Sequence, residues 1–185
     1  MDMESSKRVC GMVSYLLQYP DDAWKEWLYA VRLEADSLSD QDLKQQLRDF
    51  LDEAERAEQE AWQDQYVRTF DFGKKSNLYL TYSEHGEERE RGQALIALKR
   101  QYEEAGFVLS GGELPDYLPL VLEFASVAPW PAAEAVLSRS HHALLSIRQE
   151  LAQLGSPYAG LFDLLLRIAS AAGPANGDAA GRNVH

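Results

Sequence analysis

A single cysteine, Cys10, is the only thiol in 185 residues. An internal disulfide, a Cys-x-x-Cys redox pair and a thiolate zinc site are therefore excluded, and a reducing cytoplasm is the expected compartment. No apolar run approaches the roughly 18 residues of a membrane-spanning helix. Lys7 and Arg8 precede the apolar stretch 9–17, but Ser14 interrupts it and no small-x-small cleavage site follows. Neither a secretion signal nor a lipoprotein cysteine is expected. Cations are scarce: 18 Lys and Arg against 30 Asp and Glu give a net charge of −12. Such a surface repels a phosphate backbone and an anionic bilayer, so nucleic-acid partners and stable membrane insertion are not expected, whereas basic or amphipathic protein segments are attracted.

Catalytic signatures are missing as well. Gly111-Gly112 lacks the Gly, Lys and Ser/Thr that complete a phosphate loop, and there is no His-Glu-x-x-His, Gly-x-Ser-x-Gly or Cys/His dyad. His141 and His142 are neighbours, so on a helix they point about 100° apart and cannot share one metal. No metal, cofactor or enzymatic activity is expected.

Helical periodicity fills most of the chain. Val9, Met12, Val13, Leu16 and Leu17 make the first apolar stripe, which Pro20 ends. Asp21 is placed to cap a second helix carrying Trp24, Trp27, Leu28, Val31 and Ala35. Ser39 and Asp42 form a weak capping box before Leu43, Leu47, Phe50, Leu51 and Ala54. The acidic stretch 52–60 leads into Trp62, Tyr66, Val67 and Phe70 as one helix or two. Spacing lapses over 71–85, the main loop, with room for a short helical turn. It resumes with Arg91, Ala94, Leu95, Leu98 and Tyr102, and Gly106 stands at a left-handed C-terminal cap. After the 110–112 hinge, Asp116 is placed to cap a helix that tolerates Pro119 in its first turn. Leu137 to Leu154 reads as one helix, and Ser156-Pro157 as the cap and first position of the last. The expected fold is all-α: a single-domain bundle of about eight to nine helices over 1–172, with a disordered tail at 173–185, too poor in apolar residues to offset ordering entropy.

Two segments concentrate chemistry. Residues 85–92, His-Gly-Glu-Glu-Arg-Glu-Arg-Gly, offer His85 with Glu84 or Glu88 as a metal or acid/base pair, but Arg89 and Arg91 discourage a cation. The plainer reading has Glu87 and Glu88 favouring a helix N-terminus while the arginines pair with acids elsewhere. Residues 113–124 are apolar nearly all round: Leu118, Val121, Leu122 and Ala125 share one face, Tyr117, Leu120, Phe124 and Val127 another. That helix is either buried on every side or lines a groove for an apolar peptide, with Glu113, Asp116 and Glu123 at the rim.

Three runs carry a family likeness: Tyr66-Val67-Arg68-Thr69-Phe70-Asp71; Leu78-Tyr79-Leu80 followed by His85-Gly86-Glu87 and Arg89-x-Arg91-Gly92-Gln93-Ala94; and Glu113-Leu114-Pro115-Asp116-Tyr117-Leu118-Pro119-Leu120. With Leu16-Leu17-x-Tyr19-Pro20-Asp21, they resemble the nitrate reductase molybdenum-cofactor assembly chaperones (NarJ type, the delta subunit), over roughly the whole folded part. Asn77 departs from the serine expected before the Leu-x-Leu. The resemblance implies an all-helical, cytoplasmic, non-enzymatic protein that binds the N-terminal segment of the apo catalytic (alpha) subunit of a membrane-bound respiratory nitrate reductase. It would support molybdenum-cofactor insertion, delay docking at the membrane anchor and be absent from the finished enzyme. The expected peptide-binding residues are Glu113, Asp116, Tyr117, Leu120, Glu123 and Phe124; His85, Glu87, Arg89, Arg91 and Tyr82 are expected in partner contact or in structural roles. A monomer is expected, with the hinge offering a route to a domain-swapped dimer. The alternatives are a chaperone of another molybdoenzyme and an unrelated helical adaptor.

Overall fold

In the computed structural model, which describes residues 2–73, 75–85 and 89–171 (for 83–85 the backbone alone), Pro20 ends the first helix and Asp21 starts the second. Asp21 Oδ1 accepts the Trp24 amide at 2.8 Å. The helices are α1 (Met3–Leu16), α2 (Asp22–Asp36), α3 (Gln41–Arg56), α4 (Gln59–Tyr66) continued by a π-helical turn (Val67–Asp71), α5 (Leu80–His85), α6 (Arg89–Glu104), α7 (Leu118–Val127), α8 (Trp130–Arg139), α9 (His141–Gln153) and α10 (Ala159–Ala171). The fold is all-α, as expected. Among the described residues the only extended pairing is the isolated antiparallel bridge between Tyr79 and Tyr117. The expected tail lies outside the described residues, as does Glu87.

Several boundaries differ from the sequence reading, each for a local reason. The run 137–154 is two helices, because Pro129 and Pro131 start α8 early and the chain turns at Ser140 before α9 begins. The acidic stretch is divided at Ala57, whose backbone is extended. Asp40 rather than Ser39 caps α3, with Oδ1 accepting the Asp42 and Leu43 amides at 3.0 and 3.1 Å. Ser156 Oγ lies 3.4 Å from the Tyr158 amide, so it opens a turn and α10 starts only at Ala159. Asp116 is not the cap of α7: Tyr117 holds that position without a side-chain bond.

One buried cluster runs through the molecule. α1 lies at its centre. Ser14 Oγ donates to the Pro119 carbonyl of α7 at 2.6 Å, and Trp24 Nε1 of α2 donates to the Tyr15 carbonyl at 3.1 Å. α2 packs on α3, α3 on α10, α10 on α9, and α5 on both α9 and α6. Tyr158 sits among Phe50, Trp62, Tyr66 and Phe70, with ring centroids 4.9 to 6.0 Å away. Gly73 is fixed by close approach: a Cβ there would collide with the Thr69 carbonyl and Ser76 Oγ, which are bonded to each other. Among the described residues no helix is long and apolar enough to cross a membrane.

Cys10 is fully buried in α1, and that burial pushes its thiol up to about 12. The thiolate is the reactive form. The native protein should therefore resist a thiol reagent at neutral pH while the urea-unfolded chain titrates fully; prompt native labelling would contradict the burial.

Candidate peptide-binding site

The second and third of the sequence runs meet at Asp116. The Leu80 amide donates to the Asp116 carbonyl at 3.1 Å, and the Leu118 amide donates to the Leu78 carbonyl at 2.8 Å, which pairs the two segments around the Tyr79–Tyr117 bridge. Asn77 supports this turn, its Oδ1 accepting the Tyr79 amide at 3.0 Å. The Asx turn explains why asparagine serves at this position. The Asp116 carboxylate is fully buried. Its Oδ2 accepts from the Thr81 amide at 3.1 Å and from Thr81 Oγ1 at 2.5 Å, while Oδ1 has no hydrogen-bond partner among the described residues. Arg91 completes the cluster. Its Nε donates to Thr81 Oγ1 at 3.2 Å, its Nη2 lies 3.9 Å from Asp116 Oδ2, and its guanidinium sits 5.5 Å from the Tyr82 ring centroid.

The placement corrects one expectation. Asp116 is not a rim carboxylate; it is an interior anchor tying the 78–82 turn and the start of α6 to the segment before α7. Arg91 pairs with an acid on another element, as the plainer reading had it. Arg89 is exposed at the start of α6, and His85 ends α5.

Glu113 is exposed and accepts a 2.9 Å bond from the Tyr79 hydroxyl. Burial, then the neighbouring Glu113 carboxylate, pushes the Tyr79 phenol up to about 12. Tyr117 is half-buried with its ring 5.3 Å from that of Tyr79, and burial raises its phenol too. Neither residue of this aromatic pair lines the groove described next.

Leu120, Glu123, Phe124 and Val127 form one wall of an open groove of about 260 Å³; Tyr102 and residues 107–110 form the other. Leu118, Val121, Leu122 and Ala125, on the opposite side of α7, are fully buried. The two faces of α7 thus do different work. Of the six expected binding residues the structure brings Leu120, Glu123 and Phe124 together and leaves Glu113, Asp116 and Tyr117 off the groove.

The second wall was missed because 107–110 follows a helix end. The signal was present: α6 closes in a Schellman motif in which Gly106 (φ +87°) donates to the Glu103 carbonyl at 3.0 Å and Phe107 to the Tyr102 carbonyl at 2.9 Å. An apolar residue just after the capping glycine characteristically packs back on the helix. Here Phe107 meets Phe124 edge-on at 5.3 Å, and Tyr102 lies 4.5 Å from the same ring while its hydroxyl donates to the Pro115 carbonyl at 2.8 Å. Chemically the groove offers apolar and aromatic surface with one carboxylate at its edge, which suits an amphipathic helix bearing a cation. Among the described residues no group of three or more His, Cys, Asp or Glu is placed to hold a metal.

Known proteins share this sequence and fold. The chain is 40% identical over 154 residues to a Bacillus subtilis (strain 168) protein named "Probable nitrate reductase molybdenum cofactor assembly chaperone NarJ", covering 83% of this chain and 84% of that one. It is 38% identical over 164 residues to the Escherichia coli (strain K12) protein named "Nitrate reductase molybdenum cofactor assembly chaperone NarJ", covering 87% of this chain and 69% of that one. A crystal structure of an Archaeoglobus fulgidus protein assigned to redox enzyme maturation superposes with a TM-score of 0.65 at 20% identity, over 89% of this chain and 93% of that chain, a likeness of fold. The family model described as nitrate reductase delta subunit matches residues 34–163, and the chain belongs to that family.

Proposed function

We propose that this chain is a cytoplasmic, non-enzymatic assembly chaperone of a respiratory nitrate reductase. The N-terminal segment of the apo catalytic subunit lies as an amphipathic helix in the groove between α7 and residues 107–110, and the bound chaperone holds the subunit ready for molybdenum-cofactor insertion and keeps it from docking early at the membrane anchor. The observation that carries this reading is the groove itself: half-buried Leu120, on a helix whose other face is fully buried, and the nearly buried ring of Phe124 line it beside Glu123 and the exposed side chains of Val108 and Val127. The names of the relatives supply the client's class. Apolar anchors would hold the peptide and the rim carboxylate would orient it.

Binding of that N-terminal peptide, measured by calorimetry, should weaken about tenfold with Glu123→Lys, equivalent to about 1.4 kcal/mol. Wild-type affinity should also fall with rising salt, since rim charges are screened over about 8 Å at physiological ionic strength. Glu123 is exposed, so unfolding free energy should stay within about 0.5 kcal/mol of wild type. Unchanged peptide affinity in folded Glu123→Lys and Leu120→Ala variants would refute the groove. Capture of a different molybdoenzyme from anaerobic, nitrate-supplied cells would reassign the client.

A further inference from the structure

The outer face of α2 is left uncovered although it is rich in apolar side chains. Trp27 is 61% exposed, Tyr29 68% and Leu33 53%, where the inward face of the same helix buries Trp24, Leu28 and Ala35. At about 100° per residue, Ala23, Trp27, Ala30 and Leu33 follow one another along the outer face, with Asp22, Glu26 and Tyr29 in the adjoining row. Trp27 and Leu33 are joined through Ala30 by i, i+3 steps and Leu33 adjoins Tyr29 at i, i+4, so the three large apolar side chains border one surface rather than lying scattered.

The charges of α2 are sorted between its two faces. Both of its cations are held inward: Lys25 Nζ donates to the Ala57 carbonyl at 3.2 Å, and Arg32 bonds Asp52 at 2.8 Å and Glu55 at 2.9 Å. Glu34 is taken by Arg8. Asp22 and Glu26 are exposed on the outer face beside the aromatic strip. An approaching surface therefore meets indole, phenol and leucine flanked by carboxylates, on a molecule of net charge −12. Its complement is an apolar stripe with lysines or arginines beside it. A second acidic copy of this chain does not fit.

We infer that the outer face of α2 is a second docking surface, which takes a cationic amphipathic helix from a partner protein packed along Trp27, Ala30 and Leu33. It is separate from the α7 groove, because α1 intervenes, bonded to α7 through Ser14 and to α2 through Tyr15. The chain can then hold two such segments at once. This inference does not depend on the proposed client.

The test uses the full chain and a Leu/Lys peptide of about five helical turns, titrated by calorimetry in about 0.15 M salt to limit diffuse attraction. Wild type should bind two peptides, Trp27→Ala/Glu26→Lys one, and Glu123→Lys one, with a shuffled peptide of the same composition binding weakly. Both substituted α2 residues are exposed, and circular dichroism checks that the fold is retained. Two peptides on the α2 variant overturn the inference. A single wild-type site lost with Glu123→Lys also overturns it and leaves the groove reading standing. A single site lost with the α2 substitutions supports the inference and counts against the groove. No binding, or equal binding of the shuffled peptide, overturns it.

Discussion

Tyr158→Ala should lower the unfolding free energy by about 3–5 kcal/mol. Tyr158 is fully buried and its ring lies within 6.0 Å of four other aromatic rings drawn from α3, α4 and the π-helical turn. Truncation leaves a hole bounded by large rings that cannot close it without leaving their rotamers, so both transfer free energy and cavity cost are lost. Tyr158→Phe keeps the ring and should cost about 1 kcal/mol or less. Urea unfolding of the pair measures the difference. Equal midpoints for the two variants would mean that the hydroxyl, not the ring, holds this junction.

The second large effect belongs to Asp116. Asp116→Ala strands the Thr81 amide and hydroxyl inside the protein and removes the carboxylate 3.9 Å from Arg91, at an expected cost of about 2–4 kcal/mol. Asp116→Asn retains an acceptor oxygen for Thr81 and should lose less than half of that. Asp116→Lys would place an ammonium where no solvent reaches, so its failure to bind peptide would report unfolding rather than rim charge. A stability within about 0.5 kcal/mol of wild type for Asp116→Ala would be the behaviour of a surface residue and would contradict the burial.

The inward faces of α1 and α3 were legible because period 3.6 is written directly in the sequence, whereas Trp27, placed by the same spacing in the apolar stripe of the second helix, is 61% exposed. The residues the spacing picked out for α1 and α3 are all buried. The role of Asp116 was not legible. A carboxylate two residues before a helix looks like a cap, and only the return of the 78–82 turn from more than thirty positions away encloses it. The groove was half legible: the sequence separated the two faces of α7, but which face stays open depends on where residues 107–110 are thrown by the end of α6. The division of 137–154 was hidden because Leu137 and Leu144 keep one apolar register through the turn at Ser140.

α6 has sixteen residues and buries only Tyr102, with Ile96 70% exposed and the helix fastened near its two ends, by Arg91 and by the Tyr102 hydroxyl. Such a helix has little of the apolar contact that makes unfolding all-or-none, so it can detach as a unit at a cost well below that of the whole molecule. Slow hydrogen exchange should be confined to α1, α7, α9 and α10, while the amides of α6 exchange through a smaller opening. Because residues 107–110 continue directly from α6 through Gly106, that local opening carries one wall of the groove with it.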